Sequence, residues 1–117
     1  MKTPTQDTTF IAVVEHVIWL AGGRGDNLRV VEAYLNRLPA QTVLKLQTLM
    51  YFGRGDDTDL RRLHAYLREN TDDKSDAVQT ICEKLLALSE YLARAVKIAD
   101  KRIDLESDFA SLKRVPR

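Results

Sequence analysis

The sequence predicts an all-α protein: a small helical bundle of about five helices, with an internal helix-turn-helix duplication and a long C-terminal helix. In successive segments the apolar residues recur every three or four positions, and glycine, proline or asparagine follows most of these segments. No stretch shows the apolar and polar alternation of a half-buried strand. The 117 residues suit one domain, 1–117, with frayed ends at 1–6 and 113–117.

The first two helices are predicted from their caps and their apolar spacing. Helix one begins near Asp7 or Thr8 and ends at Ala21, and its wide apolar surface favours a central position in the bundle. Helix two follows the capping pair Asp26 and Asn27 and is ended by Pro39. Its predicted inward stripe consists of Leu28, Val31, Leu35 and Leu38.

Helices three and four follow the same arrangement. Helix three begins at about 40–42 and stops at Gly53, and helix four begins after Asp57 or Thr58 and closes at Asn70. The inward residues of helix three are Val43, Leu46, Leu49 and Met50. Those of helix four are Leu60, Leu63 and Leu67.

The last helix is predicted to be long and straight, with Ser75 as its N-cap and a possible continuation to Phe109. Its first apolar line is Val78, Ile81, Leu85, Leu88, Leu92, Ala95 and Ala99. A second line beside it is Cys82, Leu86, Ser89, Ala93, Val96 and Ile103. Two apolar lines favour a homodimer through this helix, and the alternative is that the other helices bury both lines within one chain.

An internal repeat relates the two halves of the chain. Residues 13–26 align with 43–56, and residues 28–35 align with 60–67. The repeated turn consists of Gly23, Arg24, Gly25 and Asp26 in the first copy and Gly53, Arg54, Gly55 and Asp56 in the second. Helix capping explains these residue types, because glycine tolerates left-handed geometry and aspartate accepts bonds from free amides. We therefore expect the two turns to share one backbone, with left-handed geometry at Gly23 and Gly53.

Arg24 and Arg54 are the candidate binding residues of the two turns. Their guanidinium groups could form a pair of cationic arms that grip phosphate or carboxylate through bidentate hydrogen bonds. The alternative is that each arginine bonds the last carbonyl groups of the preceding helix. The sequence favours the second role.

The segment 46–56, Leu-Gln-Thr-Leu-Met-Tyr-Phe-Gly-Arg-Gly-Asp, resembles the signature of the bacterial domain of unknown function DUF3775. A looser similarity extends to residues 88–96, which include Tyr91 and Leu92. The resemblance implies a small helical protein of bacterial or phage origin, and it carries over no catalytic residue.

The composition gives little support to several functional classes. A formal net charge of +1 is far from the strongly basic balance that is typical of nucleic-acid-binding domains. The single cysteine cannot form an intrachain disulfide, and no signal segment is recognisable, so a cytoplasmic location is expected. The longest apolar run, 10–21, is too short to cross a bilayer and is interrupted by Glu15 and His16.

No residue pattern indicates an enzyme, a metal site or a cofactor site. The acidic residues Asp56, Asp57 and Asp59 lack the spacing of a calcium loop and favour capping instead. His16 and His64 do not have metal-ligand spacing. Cys82 is interpreted as a small apolar residue in the middle of a helix.

The function predicted from these observations is that of a small non-catalytic regulatory or adaptor-type module that binds a protein partner. The alternative is a weak nucleic-acid-binding regulator that uses helix four, where Arg61 and Arg62 would lie near phosphates. We favour a protein partner, because the acidic residues beside these arginines would repel the nucleic-acid backbone.

Overall fold

A computed structural model describes residues 10–22, 27–56 and 59–100 of the chain. Every regular element within these ranges is an α-helix, so the predicted all-α class is confirmed. The helices are, in chain order, α1 (Phe10–Ala21), α2 (Asn27–Asn36), α3 (Ala40–Arg54), α4 (Leu60–Asn70), α5 (Lys74–Glu83) and α6 (Leu85–Asp100).

The described ranges contain six helices rather than about five, because the long last helix is broken at Lys84. The Lys84 amide donates to the carbonyl oxygen of Ile81 at 3.1 Å, and the Ala87 amide donates to that of Lys84 at 3.0 Å. Bonds to the residue three positions back tighten the helical turn and change its direction. As a result α5 packs on α2 and α3, whereas α6 packs on α1 and α3. The prediction of one long straight helix is therefore wrong.

Aspartate side chains cap two of the helices. The Asp59 carboxylate accepts bonds from two amides in the first turn of α4, at 3.1 and 3.2 Å. The Asp73 carboxylate accepts a bond from the Asp76 amide at 2.9 Å, so Asp73 has the capping role that was predicted for Ser75. These three bonds satisfy amides that have no partner within the helix.

The central helix is α3, not helix one as predicted. It packs against α4, α5 and α6, and its five consecutive residues 46–50 are all buried. Burial on every side of a helix is typical of a position inside the core. Two of these residues are polar: the Thr48 hydroxyl donates to the Leu44 carbonyl at 2.8 Å, and the Gln47 side-chain oxygen accepts from the Thr71 hydroxyl at 3.5 Å.

Most of the predicted inward residues are buried. They are Val31, Leu35, Val43, Leu46, Leu49, Met50, Leu60, Leu63, Leu67, Val78, Ile81, Leu88, Leu92 and Ala95. Leu38 and Leu85 are half-buried, and Leu28 is exposed, so the prediction for Leu28 is wrong. The cause is that α2 buries a narrow stripe, Val31 and Leu35, and leaves its first turn at the surface.

The second Gly-Arg-Gly-Asp turn does not have the predicted geometry. Helix α3 continues through Gly53 to Arg54, and the left-handed residue is Gly55, with φ of +100°. The Gly55 amide donates to the Phe52 carbonyl at 3.1 Å, and the Asp56 amide donates to the Tyr51 carbonyl at 3.1 Å. These two bonds form the Schellman motif, in which a left-handed residue closes a helix.

Gly53 is needed for a different reason, the close approach of α3 and α6. A Cβ atom at this position would overlap the carbonyl oxygen of Tyr91 and would lie 2.6 Å from its carbonyl carbon and 3.2 Å from the Cβ of Ala95. Only a residue without a side chain allows the two helix backbones to meet here.

Several predictions fall on residues outside the described ranges. Residues 23–26 form the first Gly-Arg-Gly-Asp turn, so the shared backbone of the two turns and the internal duplication stay predictions. The frayed ends at 1–6 and 113–117 and the continuation of the last helix to Phe109 stay predictions for the same reason.

Replacing each glycine of the second turn by alanine should separate the two constraints. In an ordinary helix interior, Gly→Ala stabilises by about 1 kcal/mol. We expect Gly53→Ala to lower the free energy of unfolding instead, by about 2 kcal/mol or more, because the added methyl group forces α3 and α6 apart. Gly55→Ala meets no atom within 4 Å and should cost only about 1–2 kcal/mol, from left-handed strain. Urea denaturation measures both, and a Gly53→Ala variant as stable as the parent would contradict the close approach.

Candidate interaction surface

The two aligned halves of the chain differ in how far equivalent residues are buried. Trp19 is 72% exposed, whereas its counterpart Leu49 is fully buried. Leu28 is 46% exposed, whereas its counterpart Leu60 is 1% exposed. Trp19 and Leu49 differ in burial because α3 is covered by three helices, whereas α1 packs mainly on α2 and α6. The first half therefore presents apolar side chains at the surface that the second half buries.

A groove of about 390 Å³ lies between α1 and α2. Two residues of α1, His16 and Leu20, form one wall. The other wall consists of Arg29, Val30, Ala33 and Tyr34 from α2 and of Arg37, which directly follows this helix. The residues of α2 that face the core, Val31 and Leu35, lie between these positions, so helical spacing separates the groove face from the core face. We call this feature the α1/α2 groove.

Aromatic rings cluster along the α1/α2 groove. The centroid of the His16 imidazole lies 4.5 Å from that of Tyr34 and 5.8 Å from that of Trp19. Burial raises the pKa of the Tyr34 hydroxyl above its ordinary value, so the phenol is neutral at physiological pH. Such tilted ring pairs give a surface that is apolar in its body and polar at its edges.

The charges of α2 are divided between two faces. Arg29, on α2, and Arg37, which directly follows α2, line the α1/α2 groove. Glu32 lies on the opposite side, in a second groove between α2 and α5 that also contains Glu83 and Cys82. The α1/α2 groove therefore has two cationic residues and no carboxylate among its lining residues.

Arg54, a predicted binding residue, is engaged within its own turn. Its guanidinium donates two hydrogen bonds to the Asp56 carboxylate, at 2.8 and 2.5 Å, and lies 4.7 Å from the centroid of the Tyr51 ring. These bonds hold the pKa of Asp56 below its ordinary value and raise the pKa of Arg54. Arg54 therefore bonds a carboxylate, whereas the favoured prediction was that it bonds the last carbonyl groups of the preceding helix. Arg24 lies outside the described residues.

Arg61 and Arg62 lie exposed in the first turn of α4, with their amides capped by Asp59. The structure does not bring them together with the α1/α2 groove, which belongs to α1 and α2. Their predicted role in binding stays a prediction.

The cysteine and the two histidines of the described residues lie in three different places. Burial raises the pKa of the half-buried Cys82 thiol, and the charge of Glu32 acts in the same direction, so the reactive thiolate is disfavoured. His16 is part of the α1/α2 groove, whereas His64 is buried between α3 and α4. Among the described residues there is no group of three side chains that could hold a metal ion.

No protein-family model, curated protein or solved structure matches the chain. In the ranges that the structure describes, no helix is both long enough and apolar enough to cross a membrane.

The α1/α2 groove was not predicted from the sequence. The four-residue spacing of Arg29, Ala33 and Arg37 indicates one helical face, away from Val31 and Leu35, and could have pointed to this groove. The exposure of Trp19 had no signal in the sequence, because it depends on which helices cover α1.

Proposed function

We propose that this chain is a small, non-catalytic, regulatory or adaptor-type module, and that its α1/α2 groove binds an acidic segment of a partner protein. The proposal is based on the exposure of Trp19 beside the α1/α2 groove, which is lined by Arg29 and Arg37. Tryptophan, tyrosine and arginine are the residue types that contribute most to protein interfaces. The groove brings Tyr34 together with both arginines, with Trp19 next to it.

The chemistry of the partner segment follows from the groove. Leu20 and the half-exposed Val30 favour an apolar anchor, and Arg29 and Arg37 favour carboxylates on either side of it. An amphipathic helix with one apolar and one acidic face meets both requirements. The absence of carboxylates among the lining residues removes the repulsion that such a segment would otherwise meet.

The resemblance of residues 46–56 to DUF3775 and the expected bacterial, cytoplasmic setting are part of the proposal. The raised pKa of the Cys82 thiol supports the non-catalytic assignment, because a protonated thiol is a poor nucleophile. Weak nucleic-acid binding through Arg61 and Arg62 is the competing outcome.

The single tryptophan gives a direct test of the α1/α2 groove. The probe is a synthetic amphipathic peptide with leucine and phenylalanine on one face and aspartate and glutamate on the other. We expect its titration to shift the fluorescence of Trp19 to shorter wavelength and to saturate. Charge reversal by Arg29→Glu with Arg37→Glu should weaken binding about tenfold or more, because like charges would then face each other.

The matched control is Arg61→Glu with Arg62→Glu on α4, which should bind the acidic peptide as the parent does. A second control is the same peptide with lysine in place of each acidic residue, which should not bind. Equal binding of both peptides, or full binding by the Arg29 and Arg37 variant, would contradict the proposal. Salt-sensitive retention on heparin that only the Arg61 and Arg62 variant loses would favour nucleic acid instead.

Self-association through the last part of the chain is the second part of the proposal. Leu86, at the start of α6, is fully exposed, and Ala93 on the same line is exposed as well. Leu92, on the first apolar line, is fully buried in the core. A partner copy that covers Leu86 would explain why a leucine stands at this position.

Light scattering coupled to size exclusion tests the homodimer at tens of micromolar protein. We expect a dimer for the parent, a folded monomer for Leu86→Asp, and an unfolded chain for Leu92→Asp, because the second change buries a charge. Circular dichroism separates the last two cases. A monomeric parent would disprove the dimer and leave the α1/α2 groove unaffected.

A further inference from the structure

A second pocket, of about 360 Å³, lies between α3 and α4 on a different part of the surface from the α1/α2 groove. Its lining residues are Gln41, Leu44 and Lys45 from α3 and His64 and Arg68 from α4. We call it the basic pocket. Three of these five side chains are of basic type, and none is a carboxylate.

Helical spacing places these residues together. On α3, positions 41, 44 and 45 are separated by three and four residues, so they share one face of the first two turns. On α4, positions 64 and 68 are one turn apart and point to the same side. Because α3 and α4 pack against each other, the two faces meet and form the pocket.

The three basic side chains occupy different depths. His64 is buried and only 5% exposed, whereas Arg68 is exposed. Lys45 is half-buried, and its ammonium group lies 4.4 Å from the centroid of the Phe10 ring. An adjoining cavity shares Gln41, Leu44 and Arg68 with the basic pocket and also contains Asp72 and Asp73. The Asp73 carboxylate already caps α5, and Asp72 is exposed to solvent. The acidic residues therefore lie beside the basic pocket and do not line it.

We infer that the basic pocket binds a small ligand that carries a phosphate group. A guanidinium offers two parallel donors to phosphate oxygens, an ammonium adds a compact charge, and the Gln41 amide can donate a further bond. A concave site lined by charges of one sign also concentrates counter-ions of the opposite sign. The volume exceeds that of inorganic phosphate, so the ligand is a phosphorylated small molecule rather than the free ion.

Isothermal titration calorimetry with pyrophosphate tests this inference, with sodium chloride added to hold the ionic strength constant. We expect saturable binding at one site per chain. Arg68→Gln and Lys45→Gln should each weaken it about tenfold or more, because each removes a charge-assisted hydrogen bond. Arg94→Gln and Lys97→Gln, on the exposed face of α6, are the matched controls and should bind as the parent does.

Circular dichroism should show that all four variants are folded, because each removes one charge from a side chain that is not fully buried. The inference is overturned if pyrophosphate does not bind saturably, or if the control variants weaken binding as much as Arg68→Gln does. Inorganic phosphate should bind more weakly than pyrophosphate, and equal affinity would contradict the assignment of a larger ligand. None of these results depends on the acidic peptide or on Trp19.

Discussion

The arrangement of the bundle depends on the contact between Gly53 of α3 and the backbone of Tyr91 on α6. No side chain fits between the two helices at this point, so α6 lies directly against the last turns of α3. Tight packing of this kind is energetically sensitive, since a single added methyl group would have to displace backbone atoms. With α6 fixed here, α4 and α5 complete the cover around α3, and its residues 46–50 become buried on every side.

The way the helices pack on one another accounts for the open surface of the first half of the chain. Helix α6 contacts both α3 and α1, but α4 and α5 pack mainly on α3, so α1 keeps a face that no described helix covers. Trp19 and the α1/α2 groove lie on this face. Two similar sequence segments therefore differ in burial, and only the first leaves Trp19 and Leu28 exposed where the second buries Leu49 and Leu60. The basic pocket, by contrast, arises within the well-covered half, where α3 and α4 meet.

The sequence predicted what depends on local spacing and missed what depends on tertiary contact. The stripe of α4 and the glycine requirement of the second turn follow from helix periodicity and capping. The left-handed residue was misplaced, at Gly53 instead of Gly55, because either glycine satisfies the pattern. The break at Lys84 has no glycine or proline to indicate it, and the exposure of Trp19 reflects which helices are absent from its face. Neither the α1/α2 groove nor the basic pocket could be predicted from the sequence. Each depends on how two helices are placed relative to each other, and helix periodicity does not specify this placement.

Two features define this bundle: α3 and α6 meet at Gly53, and α1 keeps a face that no described helix covers. Nuclear Overhauser spectroscopy of the intact chain tests both parts in one experiment. We expect strong cross-peaks between the Gly53 α-protons and the Ala95 methyl group. We expect no cross-peaks between the outer edge of the Trp19 indole and the methyl groups of the core. An indole in contact with core methyl groups, together with no signal between Gly53 and Ala95, would contradict it.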